Sequence, residues 1–152
     1  MTRLTDEHLA KLVSRVTQTM TGISFTVSPS REIDSALLAH AAVLTIGDDV
    51  LTVGLASDEK GSTHLGSVLF SCTPAQVDAS MRNDSMSELV NMTAGQIKGA
   101  LLLDVALGLP KVVGAGAPRP DGPGWRKVRL RATGVELVVL LSELNTKVER
   151  RK

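Results

Sequence analysis

Two stretches with one apolar rhythm, lying on either side of short β-branched runs, limit what this chain can fold into. Leu9, Leu12, Val13, Val16 and Met20 recur at intervals of three and four, the spacing that gathers apolar side chains on one stripe of a helix. Met86, Val90, Ala94, Ile97 and Leu101 do the same. Asp6 and Glu7 stand where a helix amino terminus favours negative charge, and Gly22 closes the first stretch. A helix is therefore expected over residues 4–21.

Between these stretches, residues 24–28 read as a short strand before a polar loop at Pro29. Residues 37–47, 50–56 and 64–72 are apolar or β-branched runs, separated by Asp48-Asp49 and by Asp58-Glu59-Lys60-Gly61. They predict an antiparallel meander. Thr73, Pro74 and Gln76 form a helix start with a capping hydroxyl, a proline that needs no N–H and a reciprocal amide. That start predicts a brief helix to about Arg82. Residues 83–85 offer a second start for the long helix, which should run to about Leu103. Gly108-Leu109-Pro110 breaks it, residues 111–113 read as a short strand, and 114–124 as a Pro/Gly-rich loop. Residues 125–132 and 135–141 then form a hairpin about Thr133-Gly134, with a loose tail from Asn145. The fold class is thus α/β of the α+β type: one domain over residues 1–152, an antiparallel multi-stranded sheet packed with two main helices.

Composition narrows the chemistry. One Trp, two Phe and no Tyr leave the core to Leu, Val, Ile, Ala and Met and argue against stacked-aromatic platforms for single-stranded nucleic acid. Cys72 is the lone cysteine, so no internal disulfide forms and a buried, inert thiol is expected. The amino terminus has no apolar leader pattern and no apolar run nears the roughly 20 residues of a spanning helix. Cytoplasmic localisation, with no membrane partner, is the expectation. Residues 1–97 hold 6 basic and 11 acidic side chains, and residues 98–152 hold 11 and 5. Arg126, Lys127, Arg129 and Arg131 with the Arg150-Arg151-Lys152 tail would carry a nucleic-acid reading, but alternate strand positions and chain ends ordinarily bear solvated charge. No nucleic-acid partner is expected.

His8, His40 and His64 fall in separate elements, without the clustered ligands of a metal site. Neither a metal nor a bound cofactor is expected. Ser71-Cys72 lacks the strand-turn-helix setting of a nucleophile elbow, and Gly114-Ala115-Gly116 lacks the Gly-Lys-Ser/Thr of a phosphate loop. What remains is the outward side of the second long helix. Glu88 and Asn91, three apart, lie side by side, and Gly95 and Lys98 continue the row while Val90, Ala94 and Ile97 turn inward. Glu88 has a purely structural alternative as the capping-box partner of Ser85.

The stretch Ser87-Glu88-Leu89-Val90-Asn91-Met92-Thr93-Ala94-Gly95 resembles the signature helix of the CheX-type chemotaxis phosphatases, relatives of CheC and FliY, with its Glu-x-x-Asn motif. Leu109-Pro110-Lys111-Val112-Val113-Gly114 resembles the proline-led strand that follows it. The resemblance implies a cytoplasmic phosphatase acting on the aspartyl phosphate of a CheY-like response regulator, in chemotaxis or related two-component signalling. It implies that Asn91 positions the attacking water and that Glu88 pairs with a basic residue of the regulator; Gly95 and Lys98, which continue the row, are the further residues expected in partner docking. The Mg²⁺ would sit on the regulator rather than on this chain, and a homodimer through the sheet is compatible. Two departures accompany the likeness. Glu-x-x-Asn occurs once rather than twice, which fits the single-site CheX arrangement, and residues 73–83 leave room for only a brief helix before the motif. A non-catalytic adaptor in a signalling or motility complex would keep the same docking helix, and a structural domain with a chance motif is the third reading.

Overall fold

The computed structural model describes residues 4–47, 51–113 and 124–142. Helix α1 (Asp6–Thr21) begins where Thr5 accepts a hydrogen bond from the His8 N–H and ends at Gly22, whose φ of 74° suits a residue without a Cβ. Strand β1 (Thr26–Val27) follows, then a 3-10 turn (Ser35–Leu38), β2 (His40–Ile46) and β3 (Leu51–Ser57). Helices α2 (Glu59–Leu69) and α3 (Ala79–Ala100) come next, flanking a second 3-10 turn (Pro74–Gln76). Strands β4 (Lys111–Val112), β5 (Arg126–Ala132) and β6 (Val135–Ser142) complete the described chain.

The six strands form one sheet in the order β1-β5-β6-β3-β2-β4, with antiparallel neighbours throughout. Register decides the two faces, because side chains alternate along each strand. Leu44, Val53, Leu55, Val128, Leu137 and Val139 point to one side and build the main core with Leu9, Leu12, Val13, Val16, Leu89, Val90 and Ile97 of α1 and α3. On the other side Ala41, Ala56, Val138 and Leu140 pack beneath Leu37 and Leu38 of the first 3-10 turn. The α+β architecture expected from the sequence is the one found.

Three expectations are corrected. Residues 64–72 are not a strand. Asp58, expected in a turn, is the N-cap of α2, accepting from the Gly61 N–H at 2.7 Å, and Glu59 occupies the first turn. The place beside β3 expected for a third meander strand belongs to β6. Ser71-Cys72 accordingly ends a helix, with the Cys72 N–H reaching back to the Ser67 carbonyl at 2.9 Å, and Cys72 is half-buried rather than buried. Secondly, the Thr73 start produces only one 3-10 turn, in which the Thr73 N–H donates to Gln76 Oε1. The long helix starts at the Asp78 cap, which accepts from the Met81 N–H at 2.8 Å, and passes unbroken through residues 83–85. No shortage of helix precedes the motif, since α2 supplies it. Thirdly, α3 ends at Ala100, well before Gly108-Leu109-Pro110. Of the expected loop over 114–124 only Gly124 is described; the rest of it and the tail from 145 lie outside the described residues.

Candidate functional site

Helix α3 positions the motif. Ser85, Met86, Leu89, Val90, Thr93, Ala94 and Ile97 are buried along one side of it, held between β2, α1 and α2. Because this stripe recurs at three and four, residues 88, 91, 95 and 99 must emerge on the other side. Glu88 and Gly95 are exposed, and Asn91 and Lys98 half-buried. All four predicted site residues therefore share the outer side of one rigid element. Within Asn-Met-Thr-Ala-Gly, Thr93 and Ala94 are fully buried and Met92 packs against the core. The middle of that run serves packing, and its ends serve the surface.

The structural alternative for Glu88 fails. Ser85 lies in the second turn of α3, 1% exposed, and its hydroxyl donates to the Met81 carbonyl at 2.8 Å. It caps nothing, so Glu88 completes no capping box. Among the described residues neither the Glu88 carboxylate nor the Asn91 carboxamide has a hydrogen-bond or ion-pair partner. An acceptor with negative charge and an amide that both donates and accepts thus stand about one helical turn apart, open to another molecule.

Beside this row lies a feature that the sequence reading did not single out. A groove of about 400 Å³ runs between α1 and α3, with His8, Leu12 and Arg15 on one wall and Gly95, Gln96 and Gly99 on the other. The available signals were Gly95-x-x-x-Gly99, two glycines one turn apart in the carboxyl-terminal part of α3, and the seven-residue spacing of His8 and Arg15 on α1.

The remaining candidates behave otherwise. His64 sits on α2, half-buried, beside a second cavity with Glu59, Lys60 and Pro74. His40, half-buried at the start of β2, has its pKa lowered by burial and next by the charge of Arg82, with Glu59 and Asp58 acting in the opposite sense. Among the described residues no three His, Cys, Asp or Glu side chains are grouped to hold a metal, and no helix is long and apolar enough to cross a membrane. Of the basic strand residues, Arg126 pairs with Asp6 at 2.7 Å and Arg129 with Glu136 at 2.6 Å. Arg126 and Arg129, two of the strand cations behind a nucleic-acid reading, are thus engaged within the fold.

Solved structures of several chemotaxis proteins share this architecture. CheX from Vibrio vulnificus matches with a TM-score of 0.67 at 14% identity, over 88% of this chain and 95% of that one. A CheC-like superfamily protein from Shewanella sp. PV-4 matches at 0.66 and 14%, over 88% and 92%. A chain of the CheX–CheY–BeF3–Mg²⁺ complex from Borrelia burgdorferi matches at 0.65 and 14%, over 92% and 98%. No family model matches the sequence, and no curated protein matches it. At such identities the likeness is one of fold.

Proposed function

We propose that this chain is a phosphatase for the aspartyl phosphate of a CheY-like response regulator. The observation that carries the reading is the pairing of exposed Glu88 with half-exposed Asn91, both without intramolecular partners among the described residues, on the helix where the sequence resembles the CheX signature. The fold supports it, since one of the similar structures is a CheX–CheY complex with BeF3 and Mg²⁺. In that complex the beryllium fluoride stands in for a phosphoryl group.

The chemistry suits so spare a site. An aspartyl phosphate is an activated acyl phosphate, and the regulator's Mg²⁺ would neutralise the phosphoryl oxygens. Hydrolysis then lacks only a water held in line with phosphorus, opposite the aspartyl oxygen. The Asn91 carboxamide orients that water by accepting and donating without adding charge beside the phosphate. A P–O bond forms to water as the P–O bond to the aspartyl carboxylate breaks, leaving free carboxylate and inorganic phosphate. Glu88 meets a cation of the regulator and sets the helix in register.

The test is phosphate release from phosphorylated response regulators of the same cell, with and without the chain. Acceleration of at least one regulator supports the reading. Binding to a regulator without acceleration would make the chain an adaptor instead, and failure to bind any would reduce the motif to a surface coincidence.

A further inference from the structure

The groove between α1 and α3 continues the row that holds Glu88 and Asn91. Gly95 lies one turn beyond Asn91 and Gly99 one turn beyond that, so the groove opens about 6 Å along the axis from the Asn91 position. Its far wall carries one fixed cation, Arg15, beside His8; both are exposed, and among the described residues the Arg15 guanidinium makes no hydrogen bond or ion pair. This stands out in a stretch, residues 1–97, that carries more acidic than basic side chains.

Two glycines leave the groove open on its α3 side. A Cβ added at Gly54 would come within 3.1 Å of Leu140 and Val43, one at Gly66 within 3.1 Å of Val77, and one at Gly108 within 3.1 Å of the Thr45 carbonyl. At each of those positions a neighbouring atom would have to give by a few tenths of an ångström. At Gly95 and Gly99 an added Cβ meets nothing within 4 Å. Gly95 inside α3 and Gly99 in its last turn thus leave space that this chain does not itself fill, although alanine at Gly95 would favour the helix more.

We propose that this groove takes an acidic segment of the same response regulator that docks on Asn91, and that Arg15 with His8 helps select which regulators bind. This rests on the function proposed above and adds a second point of contact of opposite sign. Glu88 offers negative charge at one end of the row and Arg15 positive charge beside the other. A partner with the complementary pair docks in one orientation only, while one with an acid facing Glu88 is repelled.

The experiment measures the affinity of the wild-type chain, Arg15→Glu, Arg15→Gln and Gly99→Leu for a beryllofluoride-activated, Mg²⁺-loaded regulator at low and high salt. Circular dichroism checks that each variant is folded. Arg15→Glu should bind at least tenfold more weakly at low salt, Arg15→Gln less severely, and both deficits should shrink as salt screens the contact. Gly99→Leu, which fills the groove, should weaken binding at both salt concentrations. If wild type binds a regulator and the folded variants bind equally well, the groove is empty in the complex and the inference falls while the function stands. A loss confined to Arg15→Glu would put the anion outside the groove, and a loss confined to Gly99→Leu would remove the acidic segment; either overturns the inference. If wild type binds no activated regulator, the function falls first.

Discussion

The hydroxyl of Ser85 donates to the carbonyl oxygen of Met81, 2.8 Å away and one turn back inside α3. A serine in that position is satisfied by its own helix and offers nothing to a side chain three residues on. Glu88 is thereby left without a stabilising task within the described fold. Glu88→Gln and Glu88→Ala should each change unfolding free energy by no more than about 0.5 kcal/mol, while both weaken binding to an activated regulator by about tenfold, or roughly 1.4 kcal/mol. Denaturant titration and binding isotherms on the same preparations check this. Normal binding by both variants would remove Glu88 from the site, and a marked stability loss in both would restore a structural role.

Asn91 makes a different demand. Its proposed task lies in the transition state, so its loss should appear in turnover more than in affinity. Asn91→Ala should keep the fold and most of the affinity for beryllofluoride-activated regulator while slowing phosphate release by about 10²-fold or more. Near-normal single-turnover release by the folded variant would remove Asn91 from the chemistry.

The glycines separate helix propensity from packing. At Gly95 an added methyl meets open space, so Gly95→Ala should stabilise the chain by about 0.5–1 kcal/mol. At Gly61, in the first turn of α2, a Cβ would overlap the Ser57 hydroxyl and come within 3.1 Å of the Glu136 carbonyl. Gly61→Ala should therefore destabilise by about 1–3 kcal/mol. Shifts of opposite sign in the denaturation midpoint are the expected result, and shifts of the same sign would contradict the packing at one of the two positions.

How far the sequence was legible follows from the same contrast. Helix α1 has large apolar residues on one stripe, an acidic first turn and a left-handed glycine at its end, so every local signal agrees. The β5–β6 hairpin is equally plain, with Gly134 at φ 77° in its turn. Helix α2 was misread because its sequence, Glu59–Leu69, mixes two glycines with Thr63 and Val68 and buries a single large side chain, Leu65. Its stability comes from the Asp58 cap and from close approach at Gly61 and Gly66, which no periodicity announces. The motif row on α3 was readable because its buried stripe was. The groove beside it was not, because it exists only where α1 crosses α3, and sequence spacing within either helix does not say which flanks meet.

His40 provides the last test, through pH. It opens β2 opposite Ser57, where burial first and the Arg82 charge second lower its pKa from 6.5, against the opposing pull of Glu59 and Asp58. In the unfolded chain neither burial nor Arg82 acts, and the imidazole takes up its proton near its ordinary value. As pH falls below about 6.5 the unfolded state binds a proton before the folded state does, so this residue contributes less stability with each step down. The contribution is complete above the unfolded value and gone below the lowered folded one. His40→Gln should therefore flatten the part of the stability–pH curve that lies below 6.5 and leave the part above pH 7 parallel to wild type. Arg82→Gln should move the His40 titration upward, because it removes one of the two lowering influences and leaves both carboxylates in place. Proton NMR titration of His40 in the two backgrounds reads both effects directly; a wild-type midpoint at or above 6.5, or a downward move in Arg82→Gln, would show that the carboxylates of Glu59 and Asp58 outweigh burial and Arg82 at this corner of the sheet.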